Sequence, residues 1–327
     1  MSKQSSVVPP DQRDQGFENL LQFSGLPADI LHVPVTSSSV KAPSNARQQT
    51  LRCLNRLPPF SPILSRLLAT LSRDDVSFAK MADLIEKDAV LSGNILALVN
   101  SASYGRRGRV NSVRHAVSLL GVAKLKNAAL GMSITRMWNQ VKTPPGWSMA
   151  AFNQHAIAAA LLSDFLAQEA PVEYAEGAFI AGLLHDLGVM LLAVGQPDIY
   201  VEIDRQVEQL QRPRPECEMD LLGFTHAELS SEALRVWALP GEIQTAVRYH
   251  DCVDHDPTPR TENSLPLSYI VGAANDYATQ MGIGVQTLGP ANAESHRDVF
   301  ERLGLESNLP RILDEFHAEF EASRSFF

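Results

Sequence analysis

Cysteine is scarce in this 327-residue chain. Cys53, Cys217 and Cys252 are the only three, and no two of them form a CxxC pair. A sparse, odd count excludes a disulfide framework and a paired-thiolate zinc site. Excess positive charge is also missing: 28 Lys+Arg against 37 Asp+Glu leaves −9. A chain this acidic does not grip nucleic acid through its overall field. The apolar runs are broken by His, Asp, Lys or Arg before 18 residues, so the sequence implies no transmembrane helix. "MSKQSSVVPPDQRDQ" lacks the apolar stretch of a signal peptide. The expectation from these absences is a cytoplasmic protein. Alternating strand patterns are almost lacking as well, and there is no internal repeat.

What is present is helical periodicity. Residues 1–48 are rich in Ser, Pro, Gln and Asp and read as a flexible segment, with a short helix and docking strand within "FENLLQFSGLPADILHVPV". From Leu51 the pattern turns helical. "FSPILSRLLATL" offers Ser61 as N-cap, Pro62 at the first helical position, and an apolar stripe of Ile63, Leu64, Leu67, Leu68 and Leu71. Asp88 caps the next-but-one helix. Asn111 or Ser112 caps another, which stops at Gly121. Five short helices are expected between 51 and 140. After the break "NQVKTPPGW", helices are expected at 148–168, 173–194, 198–209, 226–237, 242–249 and 265–281. A polar loop spans 251–264, and an acidic tail helix spans 298–322. The fold class is all-α.

"FIAGLLHDLGVMLLAVG" raises the chemical question. His185 and Asp186 sit inside an apolar helical run, and burying an imidazole beside a carboxylate is costly without compensation. His155, His226, His250, Asp251 and Asp276 also lie on or at the ends of expected helices. They are spaced about one helix and its return apart. A bundle core can bring such side chains to one centre and build a metal site. Imidazole and carboxylate together suit Fe, Mn or Zn rather than Ca. Simpler roles stand beside this one. His185 and Asp186 could face solvent, His226 could cap its helix, Asp251 could be loop polarity, and Asp276 could lie on an exposed face. His32, His115, His255, His296 and His317 are read as surface or hydrogen-bonded residues. Arg106, Arg107 and Arg109, with Arg114, Lys124 and Lys126, form a local basic patch that reads as solvated surface or, less readily, as a phosphate-binding patch.

Three stretches, "LNRLPPFSPILSRLLATL", "FAKMADLIEKDAVLSGNILALVNSASYG" and "VNSVRHAVSLLGVAKLKNAAL", resemble the HDOD domain, the HD-related output domain of bacterial signalling proteins. "GFTHAELSSEALRVWALPGEIQTAVRYHD" resembles its later segment, and "GLLHDLG" is similar to the His-Asp doublet of the HD phosphohydrolases. The resemblance covers about residues 51–280. It implies an HDOD domain over 49–284, with an N-terminal helical subdomain (49–140) and an HD-like metal-site subdomain (141–284). A linker and acidic helix follow over 285–327.

The resemblance also implies a signal-transduction role, usually without demonstrated catalysis. His155 matches the first metal ligand, His185 and Asp186 the doublet, and Asp276 the closing Asp. His226 and His250 match the extra histidines of the two-metal HD-GYP phosphodiesterases that cleave cyclic di-GMP, in which Asp186 would bridge both metals. There are departures. No GYP motif is present, Val189 stands for a common lysine, and Asp251 stands for a second His. Asp88-Ala89 replaces Asp-Pro, and Ser230-Ser231 replaces Gly-Ala. The expectation is a metal-binding, non-catalytic regulatory scaffold or sensor holding one or two Fe or Mn ions and engaging signalling protein partners. A cyclic dinucleotide or nucleotide is a candidate ligand, with no membrane and no nucleic acid involved. The alternative is a metal-dependent phosphohydrolase or cyclic-dinucleotide phosphodiesterase, for which Arg248 is the candidate phosphate-binding residue.

Overall fold

Helix signals in the sequence translate directly into caps and boundaries. In the computed structural model, which describes residues 45–71, 77–101, 109–261, 264–284, 300 and 302–327, Ser61 accepts the Leu64 N–H at 3.2 Å and starts α2 (Pro62–Leu68). Ser77 starts α3 (Phe78–Ile85). Asp88 accepts the Val90 and Leu91 N–H groups and starts α4 (Ala89–Val99). Ser112 starts α5 (Val113–Leu120), and Gly121, at φ +82°, turns the chain into α6 (Val122–Trp138). These five helices pack on one another, as the apolar stripes require. Preceding them, α1 (Ala46–Leu51) and a 3-10 turn (Arg52–Arg56) dock against a later helix. Residues 46–48, expected within the flexible segment, are instead helical: Ala46 and Thr50 of α1 are buried, Ala46 against Val189, Leu192 and Ala193.

The second half is built around α7 (Met149–Glu169), α8 (Ala178–Leu184) and α14 (Leu267–Gln280). Around them lie α9 (Leu187–Gly195), α10 (Pro197–Leu210), α11 (Arg214–Leu222), α12 (His226–Val236) and α13 (Gly241–Tyr249); α15 (Leu309–Ser323) crosses α7. The core is continuous between the halves, with Trp138, Phe152, Phe179 and Phe316 fully buried. Each such side chain contributes roughly 1.5–3 kcal/mol of burial. All described residues fall in one unit, Val40–Phe327, with only two isolated β-bridges among them.

Two expectations are corrected here. The single helix over 173–194 is broken at His185 and Asp186 into α8 and α9. On a straight helix neighbouring side chains diverge by about 100°; the break lets both residues serve one centre. And α11 is not among the expected helices, which leave 210–225 unassigned. Pro213 and Pro215 occupy the N-terminal end, where proline is tolerated.

The stretch Ala175–Gly195 is long and apolar enough to cross a membrane, with mean hydropathy 1.9, yet 89% of its apolar 18-residue window is buried inside the bundle. The expected helix and strand in 17–35, Arg106 and Arg107, and the start of the tail helix lie outside the described residues.

Candidate metal centre

The break between α8 and α9 is where the centre is built. Asp186 occupies the N-cap position of α9, but its side chain makes no cap hydrogen bond. Ser230 on α12 takes over part of that role: its Oγ accepts the buried Gly188 N–H at 2.7 Å. The Asp186 carboxylate is thereby left to face the histidines. Gly188 also permits the approach of α12, since a Cβ there would sit 2.1 Å from the His226 carbonyl oxygen. Gly272 does the same for α13 and α14; a Cβ there would meet the His250 carbonyl at 2.6 Å.

Four imidazoles from four different elements converge: His155 from α7, His185 from the α8–α9 break, His226 from the start of α12 and His250 from the end of α13. All four are buried. His155 Nδ1 donates to the Ile283 carbonyl, His185 Nδ1 to the Gly182 carbonyl and His250 Nδ1 to the Val247 carbonyl, each at 2.7 Å. His226 Nδ1 donates to Glu218 Oε2 at 2.8 Å. A carbonyl oxygen only accepts, so those Nδ1 atoms carry the protons. The Nε2 atoms are turned to the centre.

Asp186 divides the centre in two. Its Oδ2 lies 3.5 Å from both His155 Nε2 and His185 Nε2. Its Oδ1 lies 3.2 Å from His226 Nε2 and 3.8 Å from His250 Nε2. His155 and His185 present their Nε2 atoms to each other at 3.2 Å, and Asn275 Oδ1 stands 3.1 and 3.3 Å from them. On the other side, Asp251 reaches His226 Nε2 at 3.1 Å and His250 Nε2 at 3.3 Å.

Charge follows this geometry. Burial pushes the Asp186 carboxyl up, but His185, His226 and His155 outweigh it and hold the group well below the usual range. Burial likewise opposes ionisation of Asp251, yet His250 and His226 hold it at about 2. His155 and His185 are driven down by burial, only partly offset by Asp186. His226 resists its burial because Glu218 and Asp251 raise it well above the ordinary imidazole value.

The donor set fits a divalent cation. Acceptor atoms face one another at 3.1–3.5 Å around Asp186 Oδ2, and His250 Nε2 is buried with no hydrogen-bond partner among the described residues. Each arrangement is costly without a positive charge at the centre. His155, His185 and Asp186 form one group whose ligand atoms lie within 4.8 Å of one another; Asp186, His226 and His250 form another.

Asp276 belongs to neither group. The α14 residue that reaches the centre is its neighbour Asn275. Asp276 is raised to about 7, by burial first and by Asp251 second. Arg248 is taken up elsewhere: it pairs with Glu228 at 2.5 Å, and Glu228 is also 3.6 Å from Arg47. Of the wider basic patch, Arg114 pairs with Asp83, Lys124 pairs with Glu319 at 2.9 Å, and burial lowers Lys126.

Glu218 was not singled out from the sequence. It is fully buried on the unexpected α11, and its Oε2 also accepts the His226 backbone N–H at 2.7 Å. Behind it Arg214, stacked over Tyr200, lies 3.5 Å from Glu218 Oε1 and pairs with Asp204. The spacing of Arg214 and Glu218, four residues apart, was the available signal.

The model of the HDOD domain family matches residues 57–253. Among solved structures, an HDOD domain protein of unknown function from Geobacter sulfurreducens superposes with a TM-score of 0.70 at 21% identity, covering 86% of this chain and 98% of the other. A provisionally named phosphohydrolase from Shewanella amazonensis SB2B gives 0.64 at 20% identity, covering 85% and 97%. An uncharacterized protein of Treponema pallidum (strain Nichols) is 24% identical over 280 residues, 78% of this chain and 51% of that protein. This chain thus spans about half the length of that curated relative.

Proposed function

From the membership of this chain in the HDOD domain family, shown by the match over 57–253, we propose that it is a signal-transduction protein whose buried His/Asp centre holds divalent metal as a fold-organising element rather than as a catalyst. The observation carrying this reading is the disposition of positive charge. Within the second half, the cation nearest the centre in sequence, Arg248, is neutralised by Glu228, which Arg47 also approaches. A substrate phosphate thus gains no committed cation from Arg248. Metal at the centre would be held by His155, His185 and Asp186 on one side and by Asp186, His226, His250 and Asp251 on the other. It would tie α7, α9, α12 and α13 together, which couples binding to folding. Iron or manganese is the metal proposed, on the mixed imidazole and carboxylate donors. The partner proposed is a signalling protein contacting the 49–140 helices.

A second reading, metal-dependent phosphohydrolase, is favoured by one observation: Asp186 offers one oxygen to each ligand group. When bound, paired divalent ions stabilise phosphoryl charge and lower the pKa of water. The Shewanella neighbour's name agrees with that reading.

The test is to assay Fe- or Mn-loaded protein against cyclic di-GMP and a generic phosphoester. The regulatory reading expects no turnover above that of the Asp186→Asn variant. Turnover abolished by Asp186→Asn would replace it with the phosphohydrolase.

A further inference from the structure

The two ligand groups are not equivalent. On the side of His155 and His185, the remaining donors are the shared Asp186 Oδ2 and the neutral Asn275 Oδ1. The opposite side has His226 and His250 with Asp186 Oδ1 and the full charge of Asp251, which reaches both imidazoles. A third carboxylate, Glu218, lies directly behind His226 on Nδ1. The other three histidines have only backbone carbonyls there. A carboxylate behind a ligating imidazole raises its basicity and fixes its tautomer. Arg214 holds Glu218 in place without displacing His226, because it approaches the other oxygen, Oε1.

We infer that the centre is graded: the His226–His250–Asp251 position is a tight, resident divalent-metal position, and the His155–His185–Asn275 position is weak and exchangeable, with Asn275 and Glu218 setting the difference. This rests on the metal-binding reading above and deepens it. The physical cause is ligand charge. One position gathers two carboxylates in contact and a third behind; the other has a single shared carboxylate. Divalent-cation affinity rises with the number of charged oxygen donors. A graded centre gives the protein a state with one ion and a state with two, read by the local metal concentration.

The experiment is a Mn2+ titration of chelator-stripped full-length protein, with free Mn2+ followed by electron paramagnetic resonance. Two binding steps separated by about tenfold or more are expected, a gap of the size that an outer carboxylate produces. Asn275→Asp should tighten the weaker step and leave the tighter one in place. Glu218→Gln should weaken the tighter step by about 10–100-fold and bring the two together. Two equal steps in the unmodified protein, or an Asn275→Asp effect on the tighter step, would overturn the grading while leaving metal binding intact. No binding at all in the unmodified protein would overturn the metal reading and the grading together. Because Glu218→Gln alters a buried group and can impair folding, the unmodified protein and Asn275→Asp together decide the point.

Discussion

Ser230 Oγ accepts the Gly188 N–H at 2.7 Å, and both groups are buried. This bond joins α12 to the first turn of α9, two residues beyond Asp186. It supplies the cap that the Asp186 carboxylate does not. Ser230→Ala should therefore leave a buried donor unsatisfied and cost about 1–3 kcal/mol. Denaturant unfolding checks the loss; a change within experimental error would show that the bond does not hold α9 in place.

Gly188→Ala should act on the same contact by crowding. Its Cβ would lie 2.1 Å from the His226 carbonyl oxygen, which is backbone and cannot rotate away. Overpacking of this kind costs about 1–3 kcal/mol. Because α12 carries His226, metal affinity should fall with stability, measured on the same sample by titration and by thermal unfolding.

Asp88 caps α4 and also pairs with Arg136 at 2.6 Å, joining α4 to α6. The Arg136 hydrogen bond holds the Asp88 carboxyl below its ordinary value, more than offsetting burial. Its contribution is present above the unfolded carboxylate pKa and is lost as pH falls through the lower folded value. Asp88→Ala should cost about 1–2 kcal/mol at neutral pH. The cost should shrink on acidification, which unfolding curves at pH 7 and in the acid range will reveal.

Asp164 behaves in the opposite sense. Burial raises it to about 6, despite the hydrogen bond from Asn127. Unfolded, it ionises near the usual carboxylate value, so stability falls as pH rises between there and about 6, and the full penalty is present above. Asp164→Asn should therefore stabilise the protein at pH 7 by about 1–3 kcal/mol and have little effect near pH 3. An equal effect at both pH values would contradict this assignment.

Much of the architecture was readable because the caps are local. Ser61, Asp88 and Ser112 act within three residues of themselves, and the apolar stripes of α2 and α3 carry their own periodicity. His185 and Asp186 stand out because polar groups in an apolar run demand compensation, whereas His155, His226 and His250 are reached through their spacing and the HDOD resemblance. The rest depends on tertiary placement. Nothing in "AANDYA" tells which of Asn275 and Asp276 faces the centre until α14 is rotated against α7. Asp251 lies just past the C-terminal end of α13, where its sequence reads as loop. Glu218 follows two prolines that suppress the helix signal, and its role appears only when α11 folds back beneath His226. Arg248 sits near the ligands in the chain, but its partner Glu228 is twenty residues away.

The measurement that bears most directly on the central claim is elemental analysis of protein purified without chelator, run beside Asp186→Asn checked for retained helicity by circular dichroism. Because Asp186 gives one oxygen to each ligand group, the account expects one to two Fe or Mn ions per chain in the unmodified protein and loss of most of that metal in the variant. Equal metal in a folded Asp186→Asn variant, or none in either protein, would contradict a metal centre at these residues.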